Sequence, residues 1–269
     1  MPSPVETKLL PPVIDTHAHL TDSAYADSLP EVLSSAKAAG LVKIGVIGFD
    51  ANTSRSACEL ASRHSDMLFA SVGIQPNSVA EAKEDDWSII ESLACHASVR
   101  ALGETGLDLY WKDNPFPLQQ DYFERHIELS KNSGLPLVIH LRESGREIVD
   151  QLRPHAATGP INGVMHSFTG DLATCRECLD MGLFISFAGM LTFKKSDDLR
   201  SIAAFVPADR ILVETDCPYL SPEPFRGKRP NEPARVVHTL EIMAKTRGVP
   251  YAALAEQTTA NAIRLFKLR

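Results

Sequence analysis

Short runs of β-branched and apolar residues alternate with longer amphipathic stretches along the whole chain. The runs VIDTH (13–17), VKIGVIGF (42–49), LFASVGI (68–74), RALGET (100–105), PLVIHL (136–141), NGVMHSF (162–168), LFISFAG (183–189) and RILVET (210–215) predict eight strands. Between them, segments 30–40, 54–64, 85–96, 117–134, 146–152, 171–182 and 197–206 carry helical spacing, and Gly40, Gly134 and Gly182 stop three of these. Two more helices, around 232–247 and 250–266, follow the eighth strand. Strands joined through helices run parallel, and such sheets are covered on both faces. Eight such units predict an α/β fold, a closed (β/α)8 TIM barrel with two extra C-terminal helices. An open doubly wound sheet is the alternative, but no glycine-rich phosphate loop follows the first strand. No low-complexity linker or shift in composition divides residues 1–269, so the pattern reads as one domain.

Composition narrows the function classes. The 269 residues are 44% hydrophobic and 23% charged, the balance of a globular protein. Lys and Arg total 27 against 34 Asp and Glu, a net charge of −7, which speaks against a broad basic face for duplex DNA but allows a local basic cleft. No apolar run approaches the ~18 residues of a membrane span. The start of the chain lacks the basic, apolar and small-residue order of an export signal. The five cysteines are odd in number and scattered, which suits reduced thiols and a cytoplasmic location. Cys175 and Cys178 match C-x-x-C, yet no second pair completes a zinc site and the segment is helical, so they read as helix thiols.

The candidate chemistry gathers where the strands end: His17 and His19 after the first, Glu104 on the fourth, His140 on the fifth, His166 on the sixth and Asp216 after the eighth. Alternation of side chains places Asp15, His17 and His19 on one side, and Glu214 and Asp216 likewise. If that side is the interior, these groups meet at the carboxyl-terminal mouth, where barrel enzymes keep their active sites. Four imidazoles and two carboxylates exceed the needs of one tetrahedral zinc and suit two divalent ions, Mg2+, Mn2+ or Zn2+. Glu104 would bridge, with His17, His19 and Asp216 on one ion and His140 and His166 on the other. Such a pair activates water as a nucleophile and stabilises charge on a phosphoryl or carbonyl oxygen. His64, His96, His126, His155 and His238 lie away from strand ends and read as surface or packing residues. Cys217 faces away from its neighbour Asp216, against a nucleophilic role.

In order along the chain, DTHAHL, GETGLD, IHLRES, MHSFTG, ETDCPYL and NEP resemble the motifs of the TatD family of metal-dependent hydrolases and deoxyribonucleases, over residues 13–266. The resemblance implies a (β/α)8 barrel that hydrolyses phosphodiester bonds of DNA with a divalent metal. It carries the metal ligands onto His17, His19, Glu104, His140, His166 and Asp216, and a phosphate clamp onto Arg142. Two departures bear on substrate preference. The family's G-x-H-P pattern reads GIQPN here, with Gln75 for the histidine and Asn77 where a second often follows. Glutamine can hydrogen-bond a phosphate but carries no proton-linked charge. Pro230 also interrupts FRGKRPNEP between its basic cluster and Asn231.

Basic residues on three loops form a candidate nucleic-acid rim: Arg142 and Arg146, Lys194 and Lys195, and Arg226, Lys228 and Arg229. Tyr110 and Trp111 are candidates to stack on a base. The reading is a phosphodiesterase acting on DNA, single-stranded or at a strand end, with no membrane or obligate protein partner. Asp216 and Glu104 are the candidate catalytic groups, Asp216 orienting the water and taking its proton. Two alternatives stand beside it: a metal amidohydrolase for a cyclic amide or ester, and a nucleic-acid-binding or scaffolding protein with a vestigial metal site.

Overall fold

The computed structural model describes residues 10–269; the first nine, on which part of the argument against an export signal rests, lie outside the described residues. The eight predicted strands are present as β1 (Val13–Ala18), β2 (Leu41–Ile47), β3 (Leu68–Val72), β4 (Val99–Asp108), β5 (Leu137–Arg142), β6 (Gly163–Met165), β7 (Phe184–Phe187) and β8 (Ile211–Val213). Each pairs in parallel with the next, in the order β1 to β8. The ring is completed at the carboxyl-terminal end by a parallel bridge between Ala18 and Cys217, with the His19 N–H donating to Cys217 O and the Asp216 N–H to His17 O. The result is a (β/α)8 barrel.

Seven helices fill the crossovers: α1 (Leu29–Ala38), α2 (Ala51–Arg63), α3 (Asp86–Leu93), α4 (Phe116–Ser133), α5 (Gly145–Ala156), α6 (Leu172–Asp180) and α7 (Asp197–Phe205). Then come α8 (Val236–Arg247) and α9 (Tyr251–Phe266). The start of α2 lies three residues before the pattern's start, because Asp50 and Thr53 form a reciprocal capping box. Gly134 ends α4 at φ 71°, in the left-handed region where a residue with a Cβ is strained. No helix among the described residues is long and apolar enough to cross a membrane.

Alternation along the strands builds two apolar layers. Ile14, Phe69, Ala101, Val138, Val164 and Leu212 fill the barrel, and Ala262, Leu265 and Phe266 of α9 pack against that layer. Gly45 leaves room on β2 for the Phe69 ring, whose Cζ would lie 2.9 Å from an added Cβ. Burying a phenylalanine here contributes about 1.5–3 kcal/mol. The other faces, with Ile44, Val72, Ile139, Ile185 and Val213, pack under the helices. The amino-terminal half of the barrel is thus packed solid, and the polar groups collect at the other end.

Three strands depart from the pattern at the end that carries the polar residues. The sixth stops at Met165 and the eighth at Val213, before the polar residues that the sequence runs included, because Ser167 (φ 43°) and Asp216 (φ 55°) turn the chain out of extended geometry. The fourth runs on to Asp108, still paired with Arg142 of β5.

Candidate metal centre

A slip in the ladder shapes the first strand's contribution. Between Asp15, paired with Ile44, and Ala18, paired with Val46, β1 carries one residue more than β2. The bulge breaks alternation. Thr16 therefore reaches Glu214 Oε2 at 3.2 Å while the adjacent His17 joins the polar cluster. Asp15 does not share the histidine face, contrary to the alternation argument: it accepts from the Thr215 N–H (2.9 Å), the Thr215 hydroxyl (2.6 Å) and the His17 N–H (3.2 Å).

The six strand-end groups do converge. His17 Nε2 lies 3.2 Å from His19 Nε2, 3.5 Å from Glu104 Oε2 and 3.6 Å from Asp216 Oδ1. His19 Nε2 lies 3.7 Å from Glu104 Oε2 and 3.5 Å from Asp216 Oδ1. Ligand atoms placed tetrahedrally about 2.1 Å from a common ion stand about 3.4 Å apart, so these spacings fit one cation at their centre. On the other side of Glu104, its Oε1 lies 2.8 Å from His140 Nδ1 and 3.1 Å from His166 Nε2, and those nitrogens are 3.4 Å apart. One carboxylate divides its oxygens between the two sets. The donor set, imidazole and carboxylate, is that of Zn2+ and Mn2+ sites.

The backbone is specialised around it. At Gly106 (φ 127°) an added Cβ would collide with the His140 carbonyl oxygen, so the glycine lets β4 approach β5 closely beside the ligands. Glu143, Ser167 and Asp216, at the ends of three strands, hold positive φ without being glycine, as strained residues at functional sites do.

Burial opposes every charge in the cluster, and mutual attraction reverses most of it. Against burial, the His166 charge and hydrogen bonds from His140, His166 and His17 hold the Glu104 carboxyl well below its usual range. Asp216 is lowered likewise, chiefly by His19. The His140 and His166 imidazoles rise, His140 through Asp108 and Glu104, His166 through Glu104 and then Glu214; His19 rises through Asp216 and Glu104. His17 goes down, through burial and then the His166 charge. The carboxylates are ionised and attract positive charge, whether protons or a metal ion that competes for the same nitrogens.

Two further carboxylates support the cluster: Asp108, which the sequence reading missed, and Glu214, which it placed on the Asp216 side but gave no role. Asp108 Oδ2 stands 2.9 Å from His140 Nε2. Although burial raises it, hydrogen bonds from His140, the Trp111 N–H and Asn77 hold this carboxyl down at about 2. Glu214 Oε1 stands 3.3 Å from His166 Nδ1 and accepts from the Ser167 N–H at 2.5 Å, while its Oε2 takes the Ser186 hydroxyl at 2.6 Å. The signal for Asp108 was its place four residues after Glu104, an even step along one strand.

The cluster opens into a cleft of about 1220 Å³, lined among others by Gln75, Asn77, Trp111, Arg142, Arg146 and Arg229. Arg142 stacks 3.9 Å from the centre of the Tyr110 ring and 5.6 Å from that of Trp111, both exposed. Among the described residues the Gln75 side chain bonds locally, to Ser78 Oγ at 3.3 Å, and Asn77 donates to Asp108 Oδ2 at 3.1 Å. The predicted rim is smaller than expected. Lys194, Lys195, Arg226 and Lys228 do not line the cleft: Arg226 lies 4.1 Å over the Phe193 ring, Lys228 lies 5.5 Å over Phe225, and Lys194 and Lys195 are exposed beyond the cleft. Arg146 reaches the cleft but pairs with Asp150 one helical turn on. His126 is buried, its Nε2 accepting from the Ile74 N–H at 3.2 Å, and Cys217 is fully buried, as their packing roles require.

The family described as "TatD related DNase" matches residues 14–267. A protein of Bacillus subtilis (strain 168) named "Uncharacterized metal-dependent hydrolase YabD" is 39% identical over 256 residues, 95% of this chain and 99% of that protein. A protein of Erwinia billingiae (strain Eb661) named "3'-5' ssDNA/RNA exonuclease TatD" is 33% identical over 261 residues, 95% of this chain and 99% of that one. Among solved structures, the TatD homolog YJJV of Escherichia coli K12 superposes with a TM-score of 0.89 at 26% identity, covering 96% of this chain and 98% of its own.

Proposed function

Because the chain belongs to the TatD family of metal-dependent hydrolases, we propose that it hydrolyses phosphodiester bonds of single-stranded DNA from a strand end, using two divalent ions, Mg2+, Mn2+ or Zn2+. The observation that carries this reading is the division of Glu104, Oε2 toward His17 and His19 and Oε1 toward His140 and His166, at the floor of a cleft edged by Arg142. One ion would sit among His17, His19, Asp216 and Glu104, the other among His140, His166 and Glu104. Bound there, divalent ions supply positive charge for phosphoryl oxygens and acidity for a water.

The chain's own groups do the rest. Asp216 is ionised and faces the cleft, so it can orient the attacking water and take its proton. Arg142 presents a planar fork of donors matched to phosphate oxygens. Its guanidinium is preorganised on Tyr110, so little side-chain freedom is lost on binding. Trp111, exposed beside it, offers a base a sequence-tolerant stacking surface. The solid barrel floor closes the cleft below, which suits a chain end. The name of the Erwinia protein supports single-stranded substrates.

The test is a digest of end-labelled single-stranded DNA, the matching RNA and duplex DNA by chelator-stripped protein, with each ion restored in turn. Stepwise release from one end of the DNA, only with ion, is expected. Turnover of a lactone or cyclic amide panel with no cleavage of nucleic acid would replace this reading with the amidohydrolase one.

A further inference from the structure

We infer that Asp108 is a positioning residue for His140: it fixes the tautomer that turns His140 Nδ1 toward the metal, and the same carboxylate ties that ligand to the Tyr110–Trp111 loop. The inference rests on the proposed metal role of His140.

Asp108 is 1% exposed and fully engaged. Its Oδ2 meets His140 Nε2 at 2.9 Å and the Asn77 amide at 3.1 Å. Its Oδ1 accepts from the Tyr110 N–H at 2.9 Å and the Trp111 N–H at 3.0 Å. The buried Gln119 clasps the backbone of the same residue, accepting from its N–H at 2.8 Å and donating to its carbonyl at 3.2 Å. The carboxylate therefore cannot swing away from the histidine without releasing the loop.

An ionised carboxylate only accepts, so His140 must donate from Nε2. A neutral imidazole that donates from Nε2 leaves the Nδ1 lone pair free, and Nδ1 is the nitrogen beside Glu104 Oε1 and His166 Nε2. A partner of this kind on the far nitrogen orients the ring and raises its basicity, and losing one lowers metal affinity by about 10–100-fold. The other oxygen of the same carboxylate anchors the turn that carries Tyr110, on which Arg142 stacks. One side chain thus holds both a metal ligand and the substrate-facing loop in register.

Asp108→Asn separates these duties. Its amide oxygen stays with the Tyr110 and Trp111 N–H groups, which fix the amide's orientation. Its NH2 then faces His140 Nε2, which must accept, and the proton moves to Nδ1, where it blocks the metal. Zn2+ binding is measured by competition with a chromophoric chelator on the parent, Asp108→Asn and Asn77→Ala. Alongside it, 1H–15N spectra of histidine-labelled, Zn2+-loaded protein report the His140 tautomer. The parent is expected to bind two ions with His140 protonated on Nε2. Asp108→Asn should keep one ion at parental affinity and bind the other about 10–100-fold more weakly. Asn77→Ala, which leaves the His140 contact, should match the parent. Unchanged affinity for both ions in Asp108→Asn overturns the inference while leaving the metal reading intact; a parent that binds no ion overturns both. If Asp108→Asn does not fold, the parental spectrum decides: Nε2–H supports the assignment and Nδ1–H overturns it.

Discussion

The Arg142 guanidinium lies 3.9 Å over the Tyr110 ring and, among the described residues, has no carboxylate within ion-pair distance. An arginine held by an aromatic face keeps its full charge and its fork of donors for a ligand.

Arg142→Ala should therefore weaken turnover of a single-stranded oligonucleotide while leaving bound metal unchanged. Loss of a charge-assisted hydrogen bond of about 1.5–3 kcal/mol corresponds to a fall of about 10–150-fold in kcat/KM. Arg142→Lys keeps the charge but neither the fork nor the stacking, and should fall between. Metal analysis beside the kinetics is the check. A loss of metal along with activity would make Arg142 a structural residue.

Glu104→Gln tests the bridge. The amide keeps the volume but gives up the charge that both ligand sets share, and it presents a donor where lone pairs are needed. Metal content should fall at both positions, and kcat should drop by about 100-fold or more, since metal stabilisation is worth several kcal/mol. Circular dichroism should show the barrel retained, because the Glu104 carboxylate meets the histidine cluster and the apolar layers supply the packing. A folded Glu104→Gln protein with full activity would sink the two-ion reading.

The barrel was legible in the sequence because its strands are buried on both faces and its helices on one, and the two patterns differ in period. The six converging groups were legible because each stands at the end of such a run. What periodicity cannot show is a local break in it. The extra residue on β1 turned Asp15 toward Thr215 while His17 stayed in the cluster. The fourth strand runs three residues beyond the apolar run that marked it, to Asp108, and that extension hid Asp108 beside His140. Loop residues have no period at all. Arg226 and Lys194 carry the right charge, but the paths of their loops, which no pattern encodes, take them out of the cleft.

His126 gives a stability prediction outside the metal centre. Burial, with a smaller effect from the Arg125 charge, pushes its imidazole down to about 4, although the Tyr122 carbonyl opposes the shift. The native state holds it neutral, donating to Tyr122 O and accepting from the Ile74 N–H. The unfolded chain takes up that proton near pH 6.5, so the contribution is complete above about pH 6.5 and is lost as the pH falls toward 4. The full loss is of order 3 kcal/mol. His126→Gln, which can serve both partners without titrating, should flatten that slope in urea unfolding of chelator-treated protein. Equal slopes in parent and variant would place the proton-linked loss elsewhere.

Gln75 is where this chain departs from the histidine of its family, and the structure puts it on the cleft wall just after Ile74, whose N–H His126 holds. Among the described residues its amide bonds Ser78, and toward a phosphate it can act only as a neutral donor. A histidine there, with the ordinary pKa near 6.5, is about three-quarters imidazolium at pH 6 and only a few per cent at pH 8. Charge-assisted hydrogen bonds are roughly twice as strong as neutral ones, a gain of about 1 kcal/mol, or about fivefold in affinity. Gln75→His should therefore lower KM for single-stranded DNA about fivefold at pH 6 and little at pH 8. The measurement is the ratio of KM, variant over parent, at the two pH values and one fixed salt concentration; taking the ratio cancels the titration of the metal ligands, which both proteins share. An equal ratio at both would show that position 75 does not meet phosphate through charge. A gain on cyclic amides with none on DNA would instead identify the cleft wall as an amidohydrolase pocket.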